Sequence, residues 1–94
     1  MPTKFKDPQF ELGQLCATPN LLSQVNHRDI EVALSRHLRC DWGEVCKDDW
    51  KANDLALRED TRLLSVYKSD GGVKFWIITE ADRSVTTVLM PEDY

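Results

Sequence analysis

Two carboxylates and an arginine stand within four residues at Glu80, Asp82 and Arg83, inside the polar run Thr79-Glu80-Ala81-Asp82-Arg83-Ser84. Acids beside a guanidinium at that spacing have the groups for acid–base work on RNA or for holding a phosphate. Arg62, Thr86 and Thr87 fall on neighbouring strand positions that would bring them alongside. The same residues also read as a surface hairpin, with Arg83 paired to Glu80 or Asp82 and Thr86 bonded across a sheet. His37 is the side chain best suited to titrate near neutral pH. It continues a helical apolar stripe, three residues beyond Leu34, which is the position of a core histidine as much as of a catalyst. Glu80, Asp82, Arg83, Arg62 and His37 are therefore the catalytic candidates, although no nucleophile–base pair or phosphate loop accompanies them in the sequence.

Metal chemistry has a thinner basis. Cys40 and Cys46 are separated by five residues, wider than the two to four of a zinc knuckle, and the histidines are His27 and His37. A three-ligand set of His37, Cys40 and Cys46 can be written, but a small thiol on an apolar helix face is more often simply buried. The expectation is no metal and no cofactor. Three cysteines are an odd number and argue against a disulfide framework.

The elements that must position these groups read as helices first and strands afterwards. Residues 1–8 mix lysine, aspartate and two prolines and read as a frayed end, leaving 9–94 as a single domain. Residues 10–15 alternate apolar and polar positions, which suits a short edge strand weakened by Gly13. Thr18-Pro19 opens a short helix over 19–25, a hydroxyl at the cap and proline at the first turn. Asn26 or His27 restarts the chain, and Ile30, Ala33, Leu34, His37 and Leu38 predict an amphipathic helix over 28–39. Asp41 with Glu44 resembles a capping box for a third helix over 43–58, whose stripe is Val45, Cys46, Trp50, Asn53, Ala56 and Leu57. Asn53, an amide on the apolar side, needs partners and can hold a strand edge or a neighbouring turn.

From 62 onward β-branched and aromatic residues dominate. Strands over 62–68, 73–80 and 84–90 are joined by the turn Ser69-Asp70-Gly71-Gly72 and by the charged tip, and Pro91 ends the last. The predicted fold is α+β, a two-layer domain of two to three N-terminal helices packed on a C-terminal three- to four-stranded antiparallel meander. The face away from the helices is expected to retain Tyr67, Trp76, Ile78 and Val88. Either it is a contact surface for a second copy or a partner, or the N-terminal arm folds over it. Tyr67, Trp76, Ile78 and Thr86 are the binding candidates. Trp42, Trp50 and Trp76 supply core volume or anchor a partner.

With 12 basic and 16 acidic residues the net charge is −4, which opposes non-specific nucleic-acid attraction. The basic cluster Arg28, Arg36, His37 and Arg39 is interspersed with Asp29, Glu31 and Asp41 and reads as a solvated helix face. Hydrophobic content of 41% and charged content of 30% are those of a soluble globular domain. No apolar run approaches the ~18 residues of a membrane span. The basic start is followed by no apolar segment, so the expected location is cytoplasmic.

Asp41-Trp42-Gly43, Ala52-Asn53-Asp54 and the run from Thr79 to Thr87 carry a resemblance to small bacterial proteins encoded on plasmids and integrative elements. These are usually called hypothetical or plasmid-related, and sometimes a type I restriction methylase subunit. The resemblance spans residues 10–94 and implies a bacterial protein associated with mobile elements. A methyltransferase needs a doubly wound domain with a glycine-rich cofactor loop, for which 94 residues with four scattered glycines leave no room. The order of helices before an antiparallel sheet is also similar to small RNases and toxins of the RelE and barnase type, and implies an RNase working through the 80–83 tip. The reading that follows is a non-enzymatic protein-binding or regulatory module, expected to bind a protein partner or a second copy of itself, with the small RNase as its alternative.

Overall fold

A computed structural model describes residues 9–94. The frayed end expected at 1–8 lies outside the described residues. The chain runs through β1 (Gln14–Ala17), α1 (Pro19–Gln24), α2 (His27–Leu38), α3 (Lys47–Glu59), β2 (Leu63–Lys68), β3 (Lys74–Thr79), β4 (Val85–Leu89) and a 3-10 turn at Pro91–Asp93. The α+β class is the one expected from the order of patterns. No helix among the described residues is long and apolar enough to cross a membrane.

The sheet differs from a pure meander. Its order is β1-β4-β3-β2, with β2–β3 and β3–β4 antiparallel but β1 parallel to β4. The first strand also starts later than the alternation suggested. Gly13, at φ 65°, brings its backbone against the Ser84 carbonyl, so close that a Cβ would lie 2.2 Å from that oxygen. The chain can enter β1 only past this turn, and residues 10–12 pass instead along the helix side of the sheet. Phe10 stacks there on Trp42 and sets its edge to His37.

Local signals explain the helices. Thr18 accepts from the Leu21 amide with Pro19 in the first turn, and Asn26 accepts from the Asp29 amide at the start of α2. The third helix begins later than expected, and Cys46 rather than Asp41 is its cap. The reason lies in the segment before it. Gly43, at φ 78°, bridges to Val66, where a Cβ would lie 1.9 Å from the Val66 carbonyl oxygen. The Val66 amide donates to the Trp42 carbonyl and the Glu44 amide to the Val66 carbonyl, so residues 42–44 are committed to the sheet. Asp41 instead takes a forked contact from Arg36 at 2.8 and 3.2 Å. Arg36 lies over the Tyr67 ring, and the Tyr67 hydroxyl donates to the Asp41 carbonyl.

Asn53 completes that edge. Its side-chain nitrogen donates to the Leu64 carbonyl at 2.7 Å and its oxygen accepts from the Leu64 amide at 3.1 Å, so one amide replaces a missing strand. This is the strand-edge role its position suggested. The outer edge of β2 is thus closed by side chain and loop together, as exposed strand edges require. One apolar cluster joins Leu21, Val25, Ile30 and Ala33 to Tyr67, Phe75, Ile77 and Val88. A second joins Trp42, Ala56 and Leu63.

Replacing Asn53 by alanine leaves the Leu64 amide and carbonyl without partners and should lower unfolding stability by about 2 kcal/mol. Urea denaturation should show a lower midpoint at unchanged slope. Leu55→Ala, on the exposed side of the same helix, should move stability by no more than ~0.5 kcal/mol.

Candidate functional site

His37 lies at the centre of a buried polar chain that joins α2 to three strands. Its Nδ1 is 2.6 Å from Ser65 Oγ and its Nε2 is 2.8 Å from Thr79 Oγ1. Thr79 Oγ1 is 2.8 Å from Thr86 Oγ1, and Thr86 donates to the Leu12 carbonyl at 2.8 Å. A carbonyl can only accept, so the last bond sets the direction of the others as far as Nε2, which must donate, and in a neutral ring Nδ1 then accepts. Thr86 uses its proton on Leu12, Thr79 donates to Thr86, His37 Nε2–H donates to Thr79, and the Ser65 hydroxyl donates to Nδ1. Burial keeps the ring neutral, and the neutral ring is then the Nε2–H tautomer, with both nitrogens occupied.

Ser65 and His37 stand at the distance of a nucleophile and its base. Ser65, His37, Thr79 and Thr86 are all 0% exposed, so no substrate reaches the pair in this structure. Burial, and secondarily the positive charge of Arg83, push the His37 pKa from 6.5 down to about 3. The chain's chemistry is that of a structural tie.

The charged tip is a tight hairpin with a different use for its arginine. The Arg83 amide donates to the Glu80 carbonyl, and Arg83 sits at φ 61°, a left-handed position that favours glycine. Its guanidinium turns inward. Nη1 donates to the Thr61 carbonyl at 2.7 Å and the Glu80 carbonyl at 3.1 Å, and Nη2 to the Ala56 carbonyl at 3.1 Å. A cation on carbonyls at and just beyond the last turn of α3 also complements the negative end of the helix dipole. Asp82 accepts from the Ser84 hydroxyl and amide, which holds its carboxyl below the usual range.

Glu80 and Arg62 meet elsewhere. Arg62 Nη2 is 3.5 Å from Glu80 Oε2, and Arg62 Nη1 donates to the Tyr94 hydroxyl at 2.6 Å. That hydrogen bond is the main cause raising the Arg62 pKa. Of the five catalytic candidates, then, Arg62 and Glu80 come together on the surface, Arg83 and Asp82 shape the turn, and His37 lies in the core. A groove of about 360 Å³ opens instead between α1, the start of α2 and the β2–β3 turn, lined by Leu22, Val25, Asn26, Asp29, Ser69 and Val73. His37, Cys40 and Cys46 do not converge either, since Cys46 Sγ accepts from the Asp49 amide as the α3 cap. The basic cluster likewise divides, with His37 buried and Arg36 joined to Asp41.

The binding candidates fall on two faces. Strand register pairs Val66 with Trp76 and Tyr67 with Phe75, so Trp76 and Ile78 lie on the helix-free face. Tyr67, Thr86 and Val88, the first and last of them expected on that open face, lie under the helices, 0 to 1% exposed. Alternation along β2 and β3 requires this division. Tyr94 sets its edge to Trp76 at 5.6 Å, and Arg62 lies over the Tyr94 ring. Among the described residues, the C-terminal turn, fixed by Asp93 accepting from Thr18 at 2.6 Å, reaches this face.

Ser65 and Thr79 were not singled out from the sequence as partners of His37. The available signal was phase. Ser65 alternates with Leu63 and Tyr67, Thr79 with Phe75 and Ile77, and Thr86 with Val88, so each hydroxyl occupies a core position. Against family models, curated proteins and solved structures, the chain finds no match.

The depressed His37 pKa has a defined consequence. Between pH 6.5 and about 3 the unfolded chain binds a proton at this residue and the folded chain does not. Stability should therefore rise with pH through this window, by up to about 1.4 kcal/mol per unit for this one group. Denaturation between pH 6.5 and 4.5, above the range where the depressed aspartates matter, should show the slope in the parent and lose it in His37→Gln. Nitrogen-15 spectra should keep the His37 ring in its Nε2–H form across the same window.

Proposed function

We propose that this chain is a non-enzymatic protein-binding module whose contact surface is the helix-free sheet face. The observation that carries the reading is the composition of that face. Leu64 and Val66 on the edge strand β2 and Trp76 on β3 are half-buried, Ile78 and Leu89 next to them are 2% and 5% exposed, and Tyr94, 66% exposed, stands beside Trp76. Lys68 and Lys74 are directly paired at one end and Arg62 lies at the other. Like charges directly opposite are unfavourable. Lys74 is relieved by Glu44 at 3.7 Å, whereas Lys68 has no ion pair among the described residues. An apolar, aromatic strip with cations at both ends, on a chain of net charge −4, fits a protein segment whose apolar side chains are flanked by carboxylates. The uses found for His37 and Arg83 favour binding over catalysis.

Association with bacterial mobile genetic elements rests on the resemblance carried by Asp41-Trp42-Gly43, Ala52-Asn53-Asp54 and the run from Thr79 to Thr87. The alternative, a small RNase, draws support from one cluster, the exposed acid, guanidinium and phenol of Glu80, Arg62 and Tyr94.

Peptide display against the immobilised protein should enrich sequences in which Asp or Glu flank aromatic or aliphatic residues. Their affinity should fall ~tenfold or more in Trp76→Ser and in the Lys68→Glu/Lys74→Glu pair, and should weaken with salt. No enrichment, or binding that survives both variants, overturns the proposal. Cleavage of cellular RNA by the parent but not by Glu80→Gln would establish the alternative.

A further inference from the structure

The two edges of the sheet are unlike. β2 is closed on its outer side by Asn53 and by residues 42–44, as described above. At β1, the Gln14 and Thr18 amides donate to the Ser84 and Val88 carbonyls at 2.8 and 3.1 Å. Alternate residues of a strand turn their backbone groups to the same neighbour, so Gln14 and Cys16 face β4 while Leu15 and Ala17 direct their N–H and C=O groups outward. Among the described residues nothing bonds to these outward groups.

The strand at this edge is itself uncharged, and the acids at its margin, Asp93 and Glu92, are engaged by Thr18 and Asn20. Residues 12–27 contain no Asp, Glu, Lys or Arg, in a chain that is 30% charged. The stretch includes β1 and α1, and it carries two strongly exposed leucines, Leu15 at 50% and Leu22 at 49%. A chain of net charge −4 meets another copy of itself with least repulsion on such a surface.

We propose that two copies of this chain pair through β1, antiparallel about a two-fold axis at Cys16, to form one continuous eight-stranded sheet. In this register Leu15 lies opposite Ala17 of the second copy and the reverse, so all four outward groups on each strand find partners. A register centred on Leu15 would need Gly13 as a strand residue, and its φ of 65° excludes that. Because the β2 edges are closed, pairing stops at two copies. An isologous contact of this kind uses one patch twice and closes on itself. The two Cys16 residues then form a non-hydrogen-bonded cross-strand pair with Cα atoms about 4.5 Å apart, within disulfide reach.

The pairing is independent of the partner surface proposed above, which Trp76→Ser tests and Leu15→Pro does not touch. Sedimentation of the full chain at high micromolar concentration should give a dimer of 10.8 kDa subunits. Leu15→Pro deletes an outward N–H that β4 does not use and should raise the dimer dissociation constant ~tenfold or more, whereas Leu15→Ala, which keeps that N–H, should dimerise more tightly than the proline variant. If Leu15→Pro fails to fold by circular dichroism, Leu15→Lys, which sets a cation beside the axis, serves in its place. In Cys40→Ser/Cys46→Ser, where Cys16 is the sole thiol, diamide should join two chains rapidly. Each sulfur loses its hydrogen to diamide, and dithiothreitol reverses the bond. A monomer at high concentration, a dimer indifferent to the Leu15 variants, or a dimer that Cys16 does not cross-link overturns the proposal. So does a monomer that instead takes up unrelated strand peptides at this edge.

Discussion

A histidine ring with no exposed surface must find a partner for each nitrogen, and much of the fold is arranged around that requirement. His37 is held between Ser65 on β2 and Thr79 on β3, and Thr79 passes the chain to Thr86 on β4 and on to the Leu12 carbonyl. A buried polar chain of this kind tolerates one arrangement only, because a slip of one residue on any strand would turn its hydroxyl to the other face. Two apolar clusters lie around it, and hydrophobic burial supplies most of the driving force. Burial alone is non-directional. The hydroxyls, with a ring that reads them from α2, select the register in which that burial occurs.

The closure of β2 follows from the same principle applied to the backbone. An edge strand offers amides and carbonyls that must be bonded or solvated. Here Asn53 answers one residue and the Gly43 loop answers another, and only the first of these was legible in the chain. Asn53 stood out as a polar residue on an apolar stripe. Gly43 did not, because its φ and its proximity to Val66 are properties of the assembled fold.

The sequence was most informative where a pattern is local. The caps at Thr18 and the restart at Asn26, the stripe of α2, the Ser69-Asp70-Gly71-Gly72 turn and the three C-terminal strands all lie close to where periodicity and turn chemistry place them. Pairing of β1 with β4 joins residues some seventy positions apart and leaves no local trace, so the mixed sheet could not be read in advance. The start of α3 was misjudged for a related reason. Asp41 and Glu44 have the spacing of a capping box, but Arg36 and the β2 edge compete for the same residues and prevail. At the tip, charge density suggested chemistry, whereas Arg83 spends its donors on carbonyls that no sequence pattern marks.

Arg83 has one more consequence, for the order in which the molecule comes apart. Its guanidinium fastens the β3–β4 hairpin to carbonyls at Ala56 and Thr61, so the tip cannot lift away while the end of α3 stays in place. The helix is in turn fixed to β2 through Asn53. Segments separated by more than twenty residues are therefore members of one cooperative opening unit. Within that unit, amide protons in the last turn of α3 and in the hairpin should report one shared opening free energy, whatever the intrinsic helix propensity of the one or the turn strength of the other.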